Sequence, residues 1–214
     1  MTKLEHTQVF GWDAAVRGMR NPLNSWHLSD SYWTHIEDPE TLETAPFQFF
    51  LGENDLALMR KLVQAGPDHR KFLRMIHVQV DVTMPLYMAK HLDTYKIGTT
   101  SNSCSTMHTI HSKSFEFSDF SLEHLNEMEM NTMEHTIGAL NIARAKYLAT
   151  KDKDQWWQMI QLLPSSYNQR RTLDLNYETL LNMYNARRNH KLDEWHTFCD
   201  WIADLPYFKA ITEI

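Results

Sequence analysis

The chain has 214 residues and a net charge of −6, a length that suits one domain with a real hydrophobic core. No stretch approaches the roughly eighteen apolar residues of a membrane helix, and MTKLEHTQVF lacks the apolar segment of a signal peptide. Cys104 and Cys199 offer no disulfide framework and fit a reducing, cytoplasmic setting. The acidic balance argues against a nucleic-acid polymer as partner, because backbone affinity needs clustered Lys and Arg, but it leaves room for a small anionic ligand.

Residues 5 to 19 read as an extended entry or strand followed by a short helix around Trp12 to Met19. The next stretch, from Arg20 to Phe47, carries Pro22, Pro39 and Pro46 with little periodicity; it reads as a long loop of the kind that serves as a lid or binding loop. ENDLALMRKLVQAGPDH is a helix: Asn54 can cap it, Leu56, Met59, Leu62 and Val63 form one stripe, and Gly66-Pro67 stops it. Ile76, Val78, Val80, Val82 and Met84 then alternate with His77, Gln79, Asp81 and Thr83, the period of a half-buried strand. That strand's polar face is expected to meet water or a partner subunit. Pro85 opens a helix, PLYMAKHLDTY, that delivers the chain into a polar loop.

That loop, Thr99 to Thr106, is made of small polar residues around Cys104 and cannot build core. Its hydroxyls, amide and backbone N–H groups suit a phosphate or a polar heterocycle, or simply a solvated turn. FEFSDF, residues 115 to 120, alternates like a strand. A long helix starts between Ser118 and Ser121 and runs to about Thr150, with Leu122, Leu125, Met128, Thr132, Ile137, Leu140 and Ala143 towards the core. DQWWQMIQLL is a shorter helix, LPSSYNQRRTLDLN a second polar segment, and LNYETLLNMYNARR and DEWHTFCDWIADL two further helices. No repeat or linker divides the chain, so residues 1 to 214 are expected to form one α+β domain, its strands segregated from its helices.

Three constellations could carry chemistry. Cys104 with His108 is a possible thiolate and imidazole pair. His108 and His111, with His124, Glu127, Glu134 and His135 on the long helix, include metal-ligand types, although no Glu-x-x-His pair repeats. Asn176, Asn182 and Arg187 project from nearby turns of one helix. Asn amides donate and accept together, as flavin and pyrimidine edges require, and Arg grips phosphate or carbonyl oxygens in a fork.

At this third constellation the chain resembles the flavin-dependent thymidylate synthases over about residues 50 to 200. The helix ending at Gly66 and the following His69 resemble the family's helix and loop histidine. Thr100 to Ser105, T-S-N-S-C-S, resembles the second half of its R-H-R-x-x-S-x-N-E-x-S signature. Leu163, Pro164, Asn176, Asn182 and Arg187 are in register with its L-P-x(n)-N-x-R-x(3)-N-x(4)-R segment. The chain departs from the pattern at Tyr95-Lys96-Ile97, where the family has Arg-His-Arg, at Ser103 (Glu), at Glu178 (Arg) and at Ile160 (Arg).

The resemblance implies an antiparallel sheet with segregated helices. It further implies FAD bound near His69, Asn102, Asn176 and Asn182, with Lys96 assigned alongside them. Ser103, Cys104 and Ser105 would contact the nucleotide, and Arg187 would hold and polarise the pyrimidine. The implied reaction is conversion of dUMP to dTMP, with methylenetetrahydrofolate as carbon donor and NADPH as reductant, in a homotetramer. It needs no side-chain nucleophile and no metal. The departures motivate two alternatives, action on another pyrimidine nucleotide such as dCMP, or nucleotide binding without catalysis. Loss of fixed guanidiniums costs phosphate affinity, each charge-assisted bond being worth about 1.5–3 kcal/mol. Lys96, Arg74, Arg170 and Arg171 are the cations placed to compensate.

Overall fold

The computed structural model describes residues 2–35 and 47–214. In chain order its elements are β1 (Lys3–Phe10), α1 (Trp12–Arg20), β2 (Tyr32–Thr34), β3 (Gln48–Phe50), α2 (Glu53–Gln64), β4 (His77–Pro85), α3 (Leu86–Leu92) and β5 (Thr99–Ser103). There follow α4 (Glu127–Thr150), α5 (Lys153–Leu162), β6 (Asn168–Asn176), α6 (Tyr177–Arg187), α7 (Asp193–Ala203) and α8 (Phe208–Thr212). The fold is α+β. Its main sheet is antiparallel throughout, in the order β1-β4-β6-β5, and β2 with β3 makes a separate two-stranded ribbon.

The alternation in β4 sets the sheet's two faces. Val78, Val80, Val82 and Met84 are buried, and they meet Leu173 and Leu175 of β6 together with α1, α6 and α7 in the main core. The polar face is tied internally. His77 Nδ1 lies 2.9 Å from Asp174 Oδ1, Gln79 donates to Asp174, and Asp81 accepts from Arg170 and Thr172. A second cluster, including Ile110, Phe115, Phe120, Ile137, Leu140 and Met159, packs α4 against α5.

Several expectations are corrected. Thr99–Ser103 is not a loop but the edge strand β5, because β6 offers it a ladder: Thr99 pairs with Leu175 and Ser101 with Leu173. The second polar segment likewise contains a strand, β6, held between β4 and β5. FEFSDF is not a strand; Phe117–Asp119 forms a 3₁₀ turn closed by reciprocal Glu116 and Asp119 caps, and only Phe120 bridges, to Tyr167.

The long helix α4 begins at Glu127, not near Ser118, because Asn126 caps it by accepting from the N–H groups of Met128 and Glu129. Leu125, Met128 and Thr132 are exposed rather than core-facing. Asn54 does not cap α2; Gly52 is the cap, and Asp30 accepts the N–H groups of Asn54 and Asp55 from outside the helix. Pro85 ends β4 and caps α3 rather than starting it. The long loop after Arg20 contains two 3₁₀ turns and β2, while its residues 36–46 lie outside those described. The last helix, α8, carried no expectation.

Candidate functional site

The turn between α3 and β5 runs against the start of α6. Gly98 makes this approach possible: its φ is +73°, and a Cβ there would lie 2.5 Å from Thr179 Oγ1 and 2.7 Å from Asn176 Nδ2. Asn176 caps α6 by accepting from the Thr179 N–H at 3.0 Å, which leaves its amide NH₂ on the Gly98 side. Thr179 Oγ1 in turn donates to Ile97 O at 3.2 Å.

Between this turn and α6 lies a cleft of about 730 Å³ lined by Arg74, Lys96, Asn176, Glu178, Thr179 and Asn182 together with the Tyr95 to Gly98 backbone turn. A smaller hollow of about 260 Å³, with Asp93, Thr99 and Ser101 in its wall, shares Tyr95 and Lys96 with it. The volume falls within the roughly 300–1,000 Å³ of small-molecule sites. Another hollow of about 730 Å³, at Trp12, Trp33, Phe49 and Tyr207, has no charged side chain in its lining, and one of about 600 Å³ sets Arg188, His190 and His196 beside Asp200; the cleft brings two amide side chains and two cations together, a lining suited to an anionic, hydrogen-bonding ligand.

Of the residues singled out in the sequence, Lys96, Asn176 and Asn182 line the cleft. Arg187 stands behind Tyr95. Its Nε donates to the Tyr95 hydroxyl at 2.9 Å, and its guanidinium lies over the Tyr95 and Trp195 rings at 5.6 and 5.3 Å. Burial, then the Arg187 charge and His91, push the neighbouring His190 below the usual histidine pKa.

The others sit elsewhere. His69 is exposed in the turn after α2, next to Arg70 and outside the lining. Asn102 and Ser103 lie at the far end of β5, and Cys104 continues that edge, its N–H donating to Arg170 O. Ser105 Oγ accepts the His108 N–H inside its own turn.

Four residues that depart from the family pattern, Tyr95, Lys96, Ile97 and Glu178, also line the cleft. Their signal was the motif itself, since they occupy motif positions with changed chemistry. Ile160 instead packs on the second hydrophobic cluster. Glu178 is buried and bound by the Arg70 fork, with Nε at 2.9 Å and Nη2 at 3.0 Å.

Among the described residues no three His, Cys, Asp or Glu side chains converge as a metal set would. His124 pairs with Asp193, and His135 bonds the Asn131 carbonyl. Nor is any helix long and apolar enough to cross a membrane among the described residues.

The chain is similar to a crystal structure of thymidylate synthase X from Helicobacter pylori with FAD and dUMP, at a TM-score of 0.69 and 17% identity, covering 99% of this chain and 97% of that one. It is similar as well to a second structure, the flavin-dependent thymidylate synthase ThyX from Helicobacter pylori complexed with FAD and dUMP, at a TM-score of 0.66 and 18% identity, covering 99% and 96%. No protein-family model and no curated protein matches the chain. The chain shares the fold of these two structures over essentially its whole length.

Proposed function

We propose that this protein is an FAD-dependent enzyme that transfers a methylene unit to C5 of a pyrimidine deoxynucleotide and reduces it, most simply dUMP to dTMP. In this reading methylenetetrahydrofolate and NADPH are cosubstrates, and the 214 residues act as one domain in a cytoplasmic homotetramer. The observation that carries it is the cleft: amides from Asn176 and Asn182 and cations from Arg74 and Lys96 line it together, in a fold whose solved neighbours are complexed with FAD and dUMP. These donors and acceptors, and the cleft's volume, fit a flavin nucleotide. FAD would supply the hydride chemistry.

The chain's own residues bind and orient. Asn176, already fixed as the α6 cap, presents its NH₂ to a carbonyl edge, and Asn182 faces the same cleft one to two turns along. Arg187 stands behind Tyr95, outside the cleft lining, with its Nε held by the Tyr95 hydroxyl; its terminal nitrogens, without a hydrogen bond among the described residues, would hold the pyrimidine beside the cleft. The apolar side chains Met128 and Ile142, exposed on α4, support an assembly through that helix.

The departures at Tyr95 to Ile97 and Glu178, all in the cleft lining, motivate a second reading, action on another pyrimidine nucleotide such as dCMP. The test is an absorbance titration. Added FAD acquires a shifted flavin band, and dUMP shifts it again. Arg187→Ala abolishes the second shift, and retention of full nucleotide affinity by that variant overturns its role. A panel of dUMP, dCMP and their ribonucleotides, assayed with methylenetetrahydrofolate, then decides the substrate; absence of any flavin binding overturns the reaction.

A further inference from the structure

The family's Arg-His-Arg is missing, yet the cleft is not short of positive charge. Five cations stand around it or near its edge, and ion pairing divides them into two sets. Arg170 is bound to Asp81 at 2.7 Å, Arg171 to Asp93 at 2.5 Å, and Arg70 to Glu178 at 2.9 Å. Arg74 and Lys96 line the cleft and make no ion pair or side-chain hydrogen bond among the described residues. The acidic groups near them are neutralised in the same stroke: Glu178 of the cleft wall is held by Arg70, and Asp93 of the adjoining hollow by Arg171. An arriving anion therefore meets two uncommitted cations and no uncommitted carboxylate. The start of α6, whose partial positive charge faces the same space, adds to this field.

We infer that Arg74 and Lys96 are the phosphate-gripping pair of this cleft, replacing the guanidiniums that Tyr95 and Ile97 cannot supply. The ligand class is a nucleotide phosphate or pyrophosphate, and the inference rests on the cleft being the ligand site proposed above. Arg74 lies just ahead of β4 and Lys96 just ahead of β5. The pair can thus clamp an anion from two segments fixed by the same sheet.

The experiment compares Arg74→Gln, Lys96→Gln and a control, Arg170→Gln, by titration with phosphate-bearing and phosphate-free partners: FAD against riboflavin, and dUMP against deoxyuridine. The expected result is a loss of about tenfold to a hundredfold in affinity for the phosphate-bearing member alone in the first two variants, with Arg170→Gln unchanged. Whichever pair of ligands separates identifies the phosphate that is held. Arg74→Lys restores most of the loss. Equal weakening of both members, or no weakening, overturns the inference while leaving the flavin reading intact.

If wild-type protein binds neither FAD nor dUMP, the functional reading fails, and inorganic pyrophosphate decides the inference. Thermal stabilisation of the wild type that is absent from the Arg74→Gln, Lys96→Gln double variant upholds it; no stabilisation, or equal stabilisation of both, overturns it.

Discussion

Asp55 has no exposed surface, and its carboxylate accepts from Arg20 Nε at 2.6 Å, from the hydroxyls of Ser29 and Ser31, and from the N–H groups of Asp30 and Ser31. Burial raises its pKa, but the bonds from Ser31, Ser29 and Arg20 and the Arg20 charge outweigh that, leaving it below the ordinary aspartate value. The group is thus harder to protonate folded than unfolded. Its stabilisation is complete above the unfolded pKa, near 4, and is lost as pH falls through the lower folded value. Asp55→Ala, which strands the buried Arg20, is expected to lower stability by about 3–5 kcal/mol in urea unfolding and to flatten the acid limb of stability against pH. On the nucleotide side, Tyr95→Phe removes the hydrogen bond to Arg187 but keeps the ring beneath it. A severalfold loss of dUMP affinity, with FAD affinity retained, is expected in a titration.

Helix caps and turns determine where the elements stop and how closely they meet. Asn126 caps the start of α4, and Asn126→Ala is expected to cost about 1 kcal/mol in a thermal melt, with the helix otherwise intact. Gly98 couples the turn before β5 to α6. Gly98→Ala demands a left-handed backbone and a Cβ within 2.7 Å of both Thr179 and Asn176. It is expected to lose about 1–3 kcal/mol of stability and, by pushing the turn off α6, to weaken flavin binding measured by absorbance.

For the whole molecule, the homotetramer proposed above predicts a sedimenting species of four times the chain mass. Met128→Glu with Ile142→Glu is expected to shift it to smaller species, because charge on those two exposed apolar positions opposes burial between subunits. An unchanged tetramer would place the interface away from that face of α4.

What local sequence determined is clearest in the elements with their own apolar period. The valine alternation of β4 and the amphipathic helices α1, α2 and α7 stand essentially where the pattern puts them, because burying one face of each needs no knowledge of its neighbours; β1 and α6 also stand close to their expected places, although β1 has no fully buried residue and the first turn of α6 is buried on every side. Tertiary structure decided β5 and β6. Thr99–Ser103 has no apolar side to bury, and Arg170-Arg171 masks the alternation of β6; each becomes a strand only when a distant neighbour supplies hydrogen-bonding partners.

The site divides in the same way. Of the cleft lining, Asn176 and Asn182 stand at motif positions in the sequence, but Arg74 and Lys96 were two of four equivalent cations until the fold paired Arg170 with Asp81 and Arg171 with Asp93, partners 89 and 78 positions away. A chain shows which residues are charged. Only the packed structure decides which charges are already spoken for, because pairing depends on distances that sequence separation does not encode.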